Sequence, residues 1–568
     1  MTTAAVLPQA VALHQGGRFA EAERLYGQVL AAEPGNFQAH YLLGFLLYQQ
    51  KRQPEALAAI DAALRLNPNA CEALGLHSIL LLAAGRHEAA LASVSKVTAL
   101  APTDADAWHN RGVILADMRR FEEALASYDK ALTLKPALTD ALYRRGAALL
   151  ELGRYQQAVT AFDDLLTRAP DSFNAWSNRG LAQYEMGHFA DSLASYDRAL
   201  KLRPDHATAW TNRGKALNNL QRFDEALASY DKALAIDPRN VGAWSARAMT
   251  LRTAYRFDEA VACVDKALTI HPDLSPLLFL RGWLLCEQDR ISEGLKVIRD
   301  TAVRDIRAKA MDAGPEHKRR HDMEQREYLA GLGVPLKDGE LHFAGGDRLD
   351  GPVINAANAE TAATQWKESR PQIVIIDDFL TPEALESLRC FCWGSTFWRK
   401  PYPNGYLGAM PEEQAFAAPL LAQIAEGLRD TFPSIIGDHR LRMLWGFKYD
   451  SSLRGIEIHA DQAAVNVNFW ITPDEANTDP ASGGMVIWDV AAPQDWDARI
   501  YNGDDAAARA FLGRSGAKPR TVPHRANRAV IFDSDLFHKT DEIDFKEGYL
   551  NRRINLTMLY GRRTYYGG

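Results

Sequence analysis

His459-Ala460-Asp461 sets an imidazole and a carboxylate two residues apart in the alternating run "GIEIHAD", 455–461. On an extended strand, side chains two apart share a face. Two ligands do not hold a transition metal well. A third completes the two-histidine, one-carboxylate set that grips a ferrous ion on one side and leaves positions open on the other. His538, at the end of the run "VIFDSDLFH" that opens with an apolar strand, is the best candidate. Downstream, "RRINLTMLYG" puts Arg553, Asn555 and Thr557 on one strand face and Ile554, Leu556 and Met558 on the other. An arginine on a buried face needs an anion, and a dicarboxylate cosubstrate supplies one through a bidentate fork. Arg552 must point the opposite way. Its head is expected to reach water near the start of the strand.

Spacing alone does not make a metal site, because the chain holds a second copy, His271-Pro272-Asp273. That copy belongs to a periodic pattern. Pro34, Pro68, Pro102, Pro136, Pro170, Pro204, Pro238 and Pro272 fall 34 residues apart each time. Helical stretches such as "ALASYDKALTLKP" precede them, and each proline ends its helix because it has no N–H and disfavours helix at the residue before it. Gly112 and Ala124 are small, so two antiparallel helices can approach closely there, with Trp108 and Tyr128 filling the wedge beside them. No single hairpin buries its apolar face alone, whereas stacked hairpins share one core. His271-Pro272-Asp273 reads as a turn between units.

This pattern resembles the tetratricopeptide repeat, over 1–308 or about nine units. The first and ninth units depart from the pattern and look like caps. The resemblance implies a concave face that takes a protein or peptide partner. Asn110, Asn178 and Asn212 occupy one slot in three units, where side-chain amides can both donate to and accept from a peptide backbone. Arg111, Arg145, Arg179, Arg213, Arg247 and Arg281 come at the next position. Their stems are expected to pack between units.

The whole chain bounds these readings. At 568 residues it needs several domains. A net charge of -7 gives no general attraction to nucleic acid or anionic lipid. The basic cluster His317-Lys318-Arg319-Arg320-His321 reads as a solvated helix face. Five scattered cysteines do not form a disulfide framework. There is no basic leader with an apolar segment behind it and no run of 18 apolar residues, so a cytoplasmic location without membrane insertion is expected.

After about 308 the repeat fails. Residues 309–371 read as a connector that packs on the domain C-terminal to it. From 372 a strand and a helix capped by Thr381 lead into a series of short strands. The order of strand and helix, His-x-Asp, "NRAVIFDSDLFH" and Arg-x-Asn-Leu-Thr resembles the iron(II)/2-oxoglutarate-dependent dioxygenases of the prolyl 4-hydroxylase-like group. The resemblance implies a double-stranded β-helix (jelly roll) with flanking helices over 372–568, built behind the all-α solenoid. It implies His459, Asp461 and His538 as iron ligands and Arg553 as the seat of 2-oxoglutarate, with Tyr449 and Thr557 in the same pocket. Oxygen would be the third reactant, and the expected activity is hydroxylation of a protein or peptide recruited by the repeats. Two rivals stand beside it: a repeat adaptor whose barrel only binds, and an oxygenase of a small or carrier-bound metabolite. Residues 489–520 separate the two halves of the triad and read as a long polar insertion, a lid or the mark of a divergent site.

Overall fold

The computed structural model describes residues 3–308, 314–337, 339–450, 455–493, 496 and 498–562. It divides into two compact units, Met1–Ala246 and Arg247–Gly568. The division falls inside the helix Val241–Thr253 and not at the expected boundary near 308. No helix among the described residues is long and apolar enough to cross a membrane.

The first unit is built of helical hairpins such as Ala105–Asp117 with Phe121–Leu134, and Thr139–Glu151 with Tyr155–Arg168. The residues of "ASYD" explain the beat. Tyr128 is fully buried and lies over Gly112, where an added Cβ would sit 2.4 Å from its ring. Gly146 and Gly214 stand in the same relation to Phe162 and Tyr230, at 2.6 and 2.5 Å. Ser127 accepts from Arg111 of its own hairpin at 2.6 Å, and Asp129 accepts from Arg145 of the next at 2.6 Å. Arg179 repeats both contacts with Ser195 and Asp163, and Arg213 does so with Ser229 and Asp197, all at 2.7 Å. The arginine row therefore cross-links hairpins, in keeping with stems packed between units.

In the second unit, the last hairpin differs from the cap expected of a ninth repeat. Trp283, Cys286, Ile291, Leu295 and Ile298, from helices Ser275–Glu287 and Ile291–Arg307, share one core with Leu420, Leu421, Ile424, Leu444 and Tyr560 of the β domain. Trp283 donates to Glu412 at 2.5 Å and Ser292 to Glu426 at 2.8 Å. A cap keeps its outer face polar, whereas here that face is apolar and covered. His271 closes the helix Phe257–Ile270 and Asp273 accepts from Arg304 at 3.2 Å, so the second His-x-Asp is a turn.

The connector helix Glu316–Gly331 packs on the β domain through Gln325, which donates to Ser395 O and to the Tyr549 hydroxyl. This corrects the reading of the basic cluster. Lys318 and His321 are buried, both paired with Asp322, because the helix docks through that face instead of presenting it to water.

Among the described residues the β domain has ten strands: β1 Ile373–Ile376, β2 Lys400–Pro401, β3 Tyr406–Ala409, β4 Leu441–Tyr449, β5 Val465–Trp470, β6 Met485–Ala491, β7 Pro519–Val522, β8 Ala529–Asp533, β9 Leu536–Thr540 and β10 Ile554–Tyr560. They make two antiparallel sheets, one of seven strands in the order β1-β8-β5-β10-β4-β3-β2 and one of three in the order β7-β6-β9. Ile554, Leu556, Met558, Val467 and Phe469 point from the large sheet into the main core. The opposite face carries the polar residues of β5 and β10.

Residues 489–520 are not a polar insertion. They hold helices Ala498–Tyr501 and Asp505–Ser515, and Trp496, Tyr501, Phe511 and Leu512 pack against Ile458, Ala460 and Phe537. Residues 494, 495 and 497 lie outside the described residues. The apolar residues are spread among charges, which hides them from a composition reading.

Candidate metal and anion site

Strand pairing brings the three candidate ligands together. His459 and His538 face each other across an antiparallel bridge. The His459 N–H donates to His538 O at 3.0 Å, and the His538 N–H to His459 O at 2.8 Å. Residues paired in this way project to the same face. Asp461, two residues on, shares that face, and its Oδ2 lies 3.4 Å from His538 Nε2. One ligand atom from each of the three residues lies within 4.8 Å of the others. The alternate residues Ile458, Ala460 and Phe537 turn the other way and anchor on the helices of 489–520.

The imidazoles are held in one tautomer. His459 Nδ1 contacts Glu457 O at 2.8 Å and His538 Nδ1 contacts Leu536 O at 3.0 Å. A carbonyl only accepts, so each Nδ1 carries a proton, and each Nε2 is left to face the Asp461 carboxylate. Metal-binding histidines are oriented in this manner. Burial, then the neighbouring His538, holds His459 down to about 4, so its ring stays neutral at ordinary pH. Burial pushes the Asp461 carboxyl up, but His538, His459 and Asn466 together hold it below its ordinary value.

Arg553 is buried, and its fork is seated on backbone. Nε donates to Gly483 O at 2.5 Å, Nη2 to Gly484 O at 2.9 Å and Nη1 to Asn555 Oδ1 at 3.1 Å. Gly484 is required, since an added Cβ would lie 1.9 Å from Val522 O. The guanidinium also lies over the Tyr449 ring at 4.7 Å and the Trp470 ring at 5.8 Å. Among the described residues, its hydrogen-bond partners are all neutral. Burial pulls it below its ordinary value, and the Trp470 indole N–H has no acceptor among those residues. A buried cation beside an unused donor suits an anionic ligand.

These groups line one cavity of about 440 Å³ between the sheets, with His459, Asp461, His538, Arg553, Tyr449 and Thr557 all on its wall. Tyr402, Tyr406, Trp445 and Phe447 add aromatic rings to the lining. Asn502, Gly503 and Asp505 add a wall from 489–520. The donor set fits a divalent iron and the arginine end fits a carboxylate.

Arg552 does turn away from the cavity, but its head does not reach water. It is buried and paired with Asp450 at 3.1 Å and Glu324 at 2.9 Å. The connector helix supplies Glu324 and closes over it. Sequence reasoning misses Asn466 and Asn468, which lie on β5 and are bonded in line with Asp461. Their signal is the alternation "VNVN", which sets both amides on one face.

In the repeats, Asn110, Asn178 and Asn212 are all half-buried. The Asn178 amide donates to the Tyr143 hydroxyl at 3.2 Å, and Asn212 bonds Tyr196. Part of the slot's bonding capacity is therefore used within the solenoid.

Family models for the tetratricopeptide repeat match residues 7–70, 105–138, 140–172, 177–241 and 220–276. Tetratricopeptide repeats thus run across the N-terminal ~280 residues. No curated protein matches the chain. Among solved structures, a tetratricopeptide repeat protein from Parabacteroides merdae is 19% identical with a TM-score of 0.34, covering 44% of this chain and 98% of its own. YrrB, described as a TPR protein with an unusual peptide-binding site, is 23% identical with a TM-score of 0.31, covering 33% and 96%. MamA from Desulfovibrio magneticus is 22% identical with a TM-score of 0.29, covering 30% and 96%.

Proposed function

We propose that the C-terminal domain is an iron(II)/2-oxoglutarate-dependent dioxygenase, with its two sheets forming a double-stranded β-helix, and that it hydroxylates a protein or peptide brought by the repeats. The observation that carries this reading is the pair of histidines whose Nδ1 protons are tied to carbonyls, leaving both Nε2 atoms beside the Asp461 carboxylate. A structural histidine pair has no need of two Nε2 atoms and a carboxylate gathered at one point.

His459, Asp461 and His538 would hold the iron. With iron and 2-oxoglutarate bound, the chemistry available is oxidative decarboxylation of the cosubstrate coupled to hydroxylation of a C–H bond. The chain supplies position and exclusion of water. Arg553 would take the distal carboxylate on its fork, held rigid by Gly483 and Gly484. Tyr449 and Trp470 flatten the wall beside it. The aromatic part of the lining would receive the substrate, and the repeats would raise its local concentration.

Conversion of 2-oxoglutarate to succinate by reduced, iron-loaded protein tests the reading. Turnover in the wild type and none in His459→Ala supports it. No turnover in either, with or without candidate peptides, favours the adaptor. Replacing Asn110, Asn178 and Asn212 together by alanine should weaken capture of a protein partner while leaving peptide-independent turnover in place. Unchanged capture would remove that slot from the recruiting surface.

A further inference from the structure

The Arg553 cation and the Asp461 carboxylate, both on the cavity wall, are joined by an unbroken run of side chains. Arg553 Nη1 donates to Asn555 Oδ1 at 3.1 Å. Asn555 Nδ2 donates to Asn468 Oδ1 at 3.2 Å, Asn468 Nδ2 to Asn466 Oδ1 at 2.8 Å and Asn466 Nδ2 to Asp461 Oδ2 at 2.7 Å. Asn466, Asn468 and Asn555 are all buried. An amide taken alone could be turned either way. Here both ends forbid it. A guanidinium only donates, so Asn555 must offer its oxygen, and an ionised carboxylate only accepts, so Asn466 must offer its nitrogen. Each amide between them is then set by its neighbour.

Register places them together. Thr557 on β10 lies opposite Asn468 on β5, and Leu559 lies opposite Asn466, so the polar faces of both strands meet. Thr557 donates a second bond to Asn468 Oδ1 at 2.9 Å. None of the three asparagines belongs to the candidate metal ligands.

We infer that Asn466, Asn468 and Asn555 are positioning residues: they fix the plane of Asp461 by a one-way run of hydrogen bonds that begins on Arg553, so that the hold on the metal depends on groups that are not its ligands. The inference rests on the reading of His459, Asp461 and His538 as a metal site. Asn466 acts directly on the ligand. Asn555, three hydrogen bonds from Asp461, acts only through the run. Truncating one link loosens every amide between it and Asp461, and hydrogen-bonded networks are non-additive in this way.

Cobalt(II) titration in the absence of 2-oxoglutarate tests this, read by the metal's d–d absorption and by the dissociation constant. Asn466→Ala should weaken binding by about 10-fold or more, as loss of a ligand's hydrogen-bond partner does elsewhere. Asn555→Ala should weaken it by about 3-fold in the wild-type background and leave it unchanged when Asn466→Ala is already present. If Asn466→Ala fails to fold by circular dichroism, Asn468→Ala serves as the interrupting variant in the same cycle. Binding by Asn466→Ala like wild type, or an Asn555→Ala effect equal in both backgrounds, overturns the inference. Cobalt binding by wild type that His459→Ala leaves intact defeats the metal site itself, a result distinct from failure of the run.

Discussion

Arginine is used in opposite ways in the two halves of the molecule. In the repeats, Arg145, Arg179 and Arg213 each meet an aspartate of the preceding hairpin at 2.6–2.7 Å, on a surface that water also reaches. In the β domain, Arg553 is buried, and its hydrogen-bond partners among the described residues are carbonyl, amide and phenol oxygens. Arg552, its neighbour in sequence, is also buried and has two carboxylates. A cation paired with acids serves the fold. A buried cation given only neutral acceptors keeps its charge for something that arrives later. The contrast is sharper than burial alone could make it, because Arg552 and Arg553 differ in partners far more than in depth.

The contrast can be broken at several points. The largest effect should come from the triad: His459→Ala or His538→Ala should abolish binding of about one ferrous ion per chain under anaerobic conditions. His271→Ala, in a turn, should bind as wild type does. Next, Arg553→Ala should lower 2-oxoglutarate affinity by roughly 10²–10³, the effect of removing one partner of a desolvated charge pair. Arg552→Ala should change that affinity by less than about tenfold, yet destabilise the second unit by about 1–3 kcal/mol by removing the buried cation that Asp450 and Glu324 share, Asp450 keeping its ion pair with Arg320. Titration of both iron-loaded variants with 2-oxoglutarate, beside denaturant unfolding, separates the two roles. If Arg552→Ala loses the cosubstrate, the register assigned to this strand is wrong.

Acid supplies a third test. His524 is buried beside Arg553 and Arg528, and burial first, then those cations, holds it down to about 3. Its ordinary value is 6.5, so the unfolded chain binds the proton that the folded chain refuses. Stability should therefore be complete above about pH 6.5 and fall as pH drops, by up to about 1.4 kcal/mol per pH unit. His459 adds in the same direction. His524→Gln should flatten the slope measured by urea unfolding at pH 7 and pH 5. An unchanged slope would mean that His524 does not stay neutral in the fold.

The repeats should respond least. Gly214→Ala drives a methyl group against Tyr230 and should cost about 1–3 kcal/mol, seen as a lower thermal midpoint. Arg213→Ala removes a partly exposed ion pair and should cost about 1 kcal/mol or less. A larger loss there would show that the cross-links carry more of the solenoid's stability than exposed pairs usually do.

The parts legible in the sequence are those set by short-range rules. Proline spacing marks the hairpins, and the small residues Gly112 and Ala124 mark where their helices approach. Strand alternation puts His459 with Asp461 and Arg553 with Asn555 and Thr557. What stays hidden depends on contacts between distant segments. Glu324 reaches Arg552 across 228 residues. Lys318 and His321 read as solvated because nothing local shows that their helix docks on the β domain. The last hairpin reads as a cap, since its departures at Gly294 and Thr301 look the same whether the outer face meets water or a sheet.

That last hairpin sets where the polypeptide can be divided. A cut after residue 308 would respect the repeat count and tear open a core in which Trp283, Leu295 and Ile298 join Leu421 and Ile424. The β domain expressed from 309 should aggregate through the bared surface, whereas a fragment that starts ahead of the helix Val241–Thr253 keeps its cover. Two repeats thus belong by inheritance to one half and by folding to the other, and recombination that swapped solenoids among such proteins would have to leave them behind.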